Sequence, residues 1–176
     1  MKEIIYNHDN LKEEDINETV IRVKALLINS DNEIAIGYAH KTYQFPGGHL
    51  EENETLEDAL KREIKEETGI EIKEKGLKPF VKTVYYTSNY RNTGLNRKNE
   101  IYFYKIKTNE KANMNNSNLD DWEKVGNYKI EYIPLDNIEQ ILIDSIPDNP
   151  INEIIVEEML EVLNEYKNNQ KSIIKS

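Results

Sequence analysis

Glu63, Glu66 and Glu67 are the residues whose type and spacing most demand chemistry. They lie in the stretch Leu56 to Thr68, whose apolar residues recur with a helical period. At about 100° per residue, with Leu56 set at 0°, Ala59 falls at about 300°, Leu60 at about 40° and Ile64 at about 80°, a core-facing stripe. Glu63 falls at about 340° and Glu67 at about 20°, inside that stripe, with Glu66 at its edge. A helix shaped only by folding would not direct carboxylates there, because uncompensated burial is costly or forces neutralisation. Spacings of i, i+3 and i+4 gather three like charges on one patch, and a divalent cation offsets them most simply. All-oxygen ligands select hard ions, so Mg²⁺ is expected first and Mn²⁺ as its substitute. The competing reading is a solvated acidic helix end paired with Lys61 and Lys65.

Thr55 precedes this helix as an N-cap with Asp58 three residues on, and Gly69 suits the left-handed position just past its end. Upstream, Val20 to Ile28 and Glu33 to Tyr38 read as a β-hairpin around the turn signal Asn29-Ser30-Asp31-Asn32. Tyr43-Gln44-Phe45 is a short extended piece that runs into Pro46-Gly47-Gly48. Downstream, strands are expected at Glu71 to Lys75, Phe80 to Tyr86, Ile101 to Lys107 and Ile130 to Ile133. Arg91 to Asn99 reads as a polar loop and Asn109 to Asn118 as a mobile surface loop. Asp136 with Glu139 suggests a capping box opening a helix to Ile143. Ile151, Ile154, Ile155, Met159, Val162, Leu163 and Tyr166 fall on one face of a final amphipathic helix. The expected architecture is one α/β domain, a mixed sheet with helices on its faces. It is drawn over residues 19–167, after an N-terminal extension of 1–18 and before a flexible tail of 168–176.

Composition narrows the function classes. The 176 residues carry 23 Lys+Arg against 33 Asp+Glu, a net charge of −10. That balance argues against general nucleic-acid binding and against an anionic membrane surface. No cysteine is present, which excludes disulfides, thiolate catalysis and sulfur-ligated metals. The longest apolar runs, such as Ala25 to Ile28, are far too short to span a bilayer, and the first residues lack a signal core. A cytoplasmic protein is expected. Lys outnumbers Arg 19 to 4, so each Arg is the more informative about where a guanidinium is required.

The segment from Gly48 to Ile70 resembles the signature of the Nudix hydrolases. Gly48, Glu54, Arg62-Glu63-Ile64, Glu66-Glu67 and Gly69-Ile70 match every defined position of that pattern. From this chain's own residue usage, such a match arises by chance on the order of 10⁻⁸ per window. The resemblance implies an α/β/α sandwich and Mg²⁺-dependent hydrolysis of a phosphoanhydride in a nucleoside diphosphate linked to another group. It implies that Glu63, Glu66 and Glu67 are metal ligands joined by the carbonyl of Gly48. Arg62 would orient Glu63, and Glu54 would hold loop and helix together. Bound cations would shield phosphate charge and acidify an attacking water, whose proton a carboxylate removes. Glu67 or Glu63 could serve as that base from the helix, and Glu100 is the candidate from outside it. The implied partner is a nucleotide-like small molecule. A homodimer is compatible with this reading, and an RNA 5′ end is left open as a substrate. The alternatives are a catalytically inactive nucleotide-binding regulator with the same fold and an interaction module built on the final helix.

Arg91, Arg97 and Lys98 cluster in one loop of an acidic protein and could draw a polyphosphate, or be merely solvated. Arg22 and Lys24 share one strand face, either contacting phosphate or lining an exposed sheet surface. Tyr85, Tyr86 and Tyr90 could stack on a base or pack in the core. Tyr86 stands where Nudix enzymes of the diadenosine-polyphosphate type tend to carry a Tyr. The Pro typical of ADP-ribose hydrolases is missing, and so is the Arg that oxidised-nucleotide hydrolases often place at Tyr38-Ala39.

Overall fold

The β-branched and aliphatic stretches pair into a seven-stranded mixed sheet in the computed structural model, which describes residues 1–174 and the side chains of 1–170. The strands are β1 (Lys2–Tyr6), β2 (Glu18–Ile28), β3 (Glu33–Ala39), β4 (Thr42–Gln44), β5 (Val81–Thr87), β6 (Arg97–Lys107) and β7 (Lys129–Pro134). The helices are α1 (Leu56–Thr68), α2 (Asp121–Val125), α3 (Ile138–Asp144) and α4 (Asn152–Ile174). Spatial order is β1-β5-β6-β2-β3-β4, with β7 paired to β3. β2 runs parallel to β6 along its whole length, β1 parallel to β5, and the other pairs are antiparallel.

Strand alternation divides the core between the two faces of this sheet. Val23, Ala25 and Leu27 pack with Leu60, Ile64 and Ile70 on the α1 side. Leu26 and Ile28 pack with Val156, Met159, Val162 and Leu163 on the α4 side. The result is the expected α/β/α layering. No described helix is long and apolar enough to cross a membrane.

β2 pairs with β3 only at Leu27–Ala35 and Ile28–Ile34, so the sheet opens toward the start of β2. The loop after β4 fills this gap. Val23 N–H donates to the Gly48 carbonyl at 2.9 Å and Ala25 N–H to the Pro46 carbonyl at 2.8 Å. Gly47 sits at φ 139°, and a Cβ there would run into the Val23 carbonyl. Only glycine permits this approach.

Several expectations change on folding. Residues 1–18, expected as an extension, supply β1 to the sheet. The segment expected as a strand at Glu71 to Lys75 is irregular. It runs back along α1, where the Glu57 carboxylate accepts from the backbone N–H groups of Gly76 and Leu77. β6 begins at Arg97, inside the expected polar loop, because β2 offers pairing from Glu18 onward. The Asn-rich loop is tied to the end of α1, with Asn113 N–H donating to the Thr68 carbonyl and Asn118 N–H to that of Glu66. The expected capping box at Asp136 does not form; Asn137 is the N-cap of α3 and makes no side-chain cap bond. α4 continues to Ile174, through much of the expected tail, whose last two residues lie outside the described ones.

Asn152 locks α4 to the sheet edge. Its side chain, 1 % exposed, donates to the carbonyls of Ser145 at 2.7 Å and Lys41 at 3.0 Å, and accepts from the Thr42 hydroxyl at 2.8 Å. Asn152→Ala strands three buried groups and should cost about 1–3 kcal/mol. Denaturant unfolding should show a lower midpoint at unchanged slope, whereas an unaltered midpoint would mean that these bonds add nothing net.

Candidate active site

The helix α1 forms for the reasons its sequence suggests. The Thr55 hydroxyl accepts from Asp58 N–H, and Gly69 closes the end at φ 72°. Ala59, Leu60, Ile64 and Thr68 are buried. This stripe holds the helix against β2, so that Glu63 and Glu67 are carried toward the Gly47-Gly48 turn. Arg62 organises the helix side of the site. Its Nε and Nη2 grip both oxygens of Glu54 at 2.7 and 2.9 Å, a bidentate pair. Its Nη1 donates to Glu63 at 2.8 Å and to Glu66 at 3.3 Å, and Nη2 also reaches the His49 carbonyl at 2.9 Å.

Glu67 is held from the other side. One of its oxygens accepts from Gly47 N–H and from the Tyr128 hydroxyl, each at 2.9 Å. Burial nevertheless pushes its carboxyl up to about 8, against the lowering effect of the Gly47 N–H. Burial also raises Glu63, with Arg62 opposing, and raises Glu123 of α2. A Cβ on Gly48 would overlap the Glu63 carboxylate, so this turn lies directly against that group.

Among the described residues no three carboxylates converge on one point, because Arg62 holds Glu63 and Glu66 while Gly47 and Tyr128 hold Glu67. The donor set still suits a hard divalent cation. It offers only oxygens, and burial raises the carboxyls of Glu63 and Glu67 above the ordinary carboxylate range.

These groups line one end of a cavity of about 750 Å³. Arg22, Lys24 and Arg91 also line it, as do the exposed apolar side chains of Trp122, Ile151 and Ile154. Arg22 donates through Nε to the His49 ring at 3.1 Å and through Nη1 to Asn99 at 3.3 Å. A slightly larger cavity, about 850 Å³, opens at the far ends of β2 and β6 near Asn29, Lys107 and Tyr166. Asp136 is its only carboxylate among the described residues, whereas the smaller cavity gathers Glu63, Glu66 and Glu67 and is the candidate site.

Of the residues singled out for substrate, Arg22 and Arg91 line this cavity; Lys98, Tyr86 and the base candidate Glu100 do not. On β5 and β6 they alternate with the cavity-lining Tyr85, Thr87, Asn99 and Ile101 and so point to the opposite face. There Lys98 pairs with Glu13 at 2.7 Å and Glu100 at 3.1 Å, and Glu100 also takes Lys82 at 3.2 Å. The Tyr86 hydroxyl donates to Glu13. Arg97 is gripped by Glu18 at 2.7 and 2.8 Å and lies over the Tyr90 ring. Trp122, Glu123, Tyr128 and Glu158 were not legible as site residues. The Asp120–Glu123 spacing is a capping-box signal that could have located α2, and that box does form.

The Glu67 shift has a sign that the metal-free protein should reveal. A carboxyl raised from 4.5 to about 8 stabilises the fold below its unfolded value, and that contribution is lost as pH rises through the folded one. In EDTA, Glu67→Gln should melt like the parent near pH 5 and increasingly above it toward pH 9. Parallel melting curves across that range would contradict the buried carboxyl.

A family model described as NUDIX domain matches residues 19–153. An 8-oxo-dGTP diphosphatase from Proteus vulgaris is 60% identical over 30 residues, which cover 17% of this chain and 27% of that protein. The match thus spans about a quarter of that curated relative. Among solved structures, a C. elegans Ap4A hydrolase binary complex is similar over 87% of this chain and 98% of that chain, at 15% identity and TM-score 0.54. A mutator MutT protein from Bacillus halodurans is similar over 69% and 72% of the two chains, at 21% identity and TM-score 0.48. With the family model covering most of the sheet, α1 and its carboxylates, the chain belongs to the Nudix family.

Proposed function

We propose that this chain is a Mg²⁺-dependent pyrophosphohydrolase, cleaving a phosphoanhydride in a nucleoside diphosphate linked to another group. The observation that carries this reading is that Glu63 and Glu67, both raised in pKa, line one cavity together with Arg22, Lys24 and Arg91. The names of the Proteus vulgaris and C. elegans proteins support a nucleotide substrate. A regulator without catalysis has less support, because every carboxylate of the box is present.

Glu63, Glu66 and Glu67, with the Gly48 carbonyl, would hold Mg²⁺, and Mn²⁺ as its substitute. When bound, the cation offsets phosphate charge and acidifies the attacking water. Arg62 keeps Glu63 aimed at the Gly48 turn, while Glu54 fixes Arg62 in turn. Glu67, held through one oxygen by Gly47 N–H and the Tyr128 hydroxyl and lying beside Glu123, would accept the proton of the water. Glu100 remains saturated by Lys82, Lys98 and Tyr102 on the far side of the sheet. Arg22 and Arg91 draw the phosphates toward the cavity.

The test is product release from a nucleotide panel with and without Mg²⁺. Excess EDTA should abolish turnover, and Glu67→Gln should lower kcat by ~10²-fold or more. Glu100→Gln should retain most of the rate. Full activity in EDTA would overturn the metal requirement, and a collapse confined to the Glu100 variant would move the base to β6.

A further inference from the structure

Lys24 is the cation that the box does not explain. It lies mid-way along β2, only 8 % exposed, and lines the cavity. Among the described residues its ammonium makes no hydrogen bond or ion pair. The charges that act on it come from three elements: Glu158 of α4, Glu67 of α1 and its own strand neighbour Arg22. Glu158, 4 % exposed, is itself occupied by the Thr83 hydroxyl at 2.9 Å. Its stem is buried while the ammonium, with no direct partner among the described residues, opens to the cavity, and burial lowers its pKa. Facing an aqueous cavity, such a group is satisfied by an anionic ligand.

We propose that Lys24 binds a phosphate of the substrate without the aid of metal and makes the cavity selective for longer phosphate chains. This inference rests on reading the cavity as a nucleotide site. The carboxylates would deal with the phosphates around the cleaved bond, and Lys24, beside Arg22 on β2 and within electrostatic reach of Glu67, would take a further one. The preferred class is then a nucleoside triphosphate or a dinucleoside polyphosphate, ahead of a diphosphate-linked sugar. The exposed apolar side chains of Trp122, Ile151 and Ile154 offer the base or nucleoside a surface. The cavity volume of about 750 Å³ is in the range of small-molecule sites.

Calorimetric titration of the full chain in excess EDTA, with adenosine mono-, di- and triphosphate as probes, tests this directly. The parent should bind the triphosphate more tightly than the monophosphate. Lys24→Met should weaken the triphosphate about tenfold or more while changing the monophosphate little, as expected for one charge-assisted contact. Lys24→Arg should keep most of the affinity. Loss of a charge without a direct partner on a buried side chain should leave the melting temperature of Lys24→Met equal to or above that of the parent. Should that variant not fold, Lys24→Gln supports the same comparison.

Equal triphosphate affinity in parent and variant would overturn the proposal, as would equal weakening of all three nucleotides or no metal-free binding by the parent. The outcome separates from the proposed function. EDTA-sensitive hydrolysis with a silent Lys24 variant would remove only this inference. Lys24-dependent binding without any hydrolysis would remove the enzymatic reading and leave the anion site standing.

Discussion

The structure depends on carrying ionisable carboxyls into the apolar face of one helix. Leu60 and Ile64 must bury for α1 to dock on β2, and that same docking presses Glu63 and Glu67 against the Gly47-Gly48 turn. The two cannot be separated, because a helix has one rotation for all its side chains. Folding energy from the aliphatic stripe therefore holds a set of like charges in place. The offsets available within the chain are partial. Arg62 serves Glu63, Glu66 and Glu54, while one oxygen of Glu67 accepts from a backbone amide and a phenol.

The opening of the sheet between β2 and β3 creates the room for this arrangement. Where β3 leaves β2, the backbone of residues 46–50 takes over the hydrogen bonds of β2 and brings glycines where side chains would collide. The two sheet faces then diverge in use. One carries the α1 core and, beyond it, the ion pairs of Lys82, Lys98 and Glu100. The other carries the α4 core and, beyond it, the cavity with Arg22, Lys24 and Asn99. Each strand thus supplies residues to both, and a shift of register by one residue would exchange them.

Much of this was legible in residue order. The aliphatic spacing of Leu56, Ala59, Leu60 and Ile64 announces the helix, Thr55 and Gly69 mark its ends, and all are realised. The Nudix signature from Gly48 to Ile70 matches the family to which the chain belongs. The strand at residues 71–75 was misread because Ile70 and Ile72 are buried by α1 and its neighbours, which alternation alone cannot distinguish from a sheet. β1 was missed because a short parallel edge strand has no turn linking it to its partner, β5.

The sequence by itself determined the helix, its caps, the carboxylate stripe and the glycine turn, since each rests on spacing within some twenty residues. Only the tertiary structure decided which charged side chains share the cavity. Arg97, Lys98 and Glu100 are close in sequence to Asn99 and Ile101, yet Lys98 and Glu100 turn to the other face and Arg97 is taken by Glu18. Tyr128 and Glu158, distant in the chain, are brought to Glu67 and toward Lys24 by β7 and α4. Strand parity and long-range pairing set those neighbours, and both depend on which backbone groups find hydrogen-bond partners across the fold.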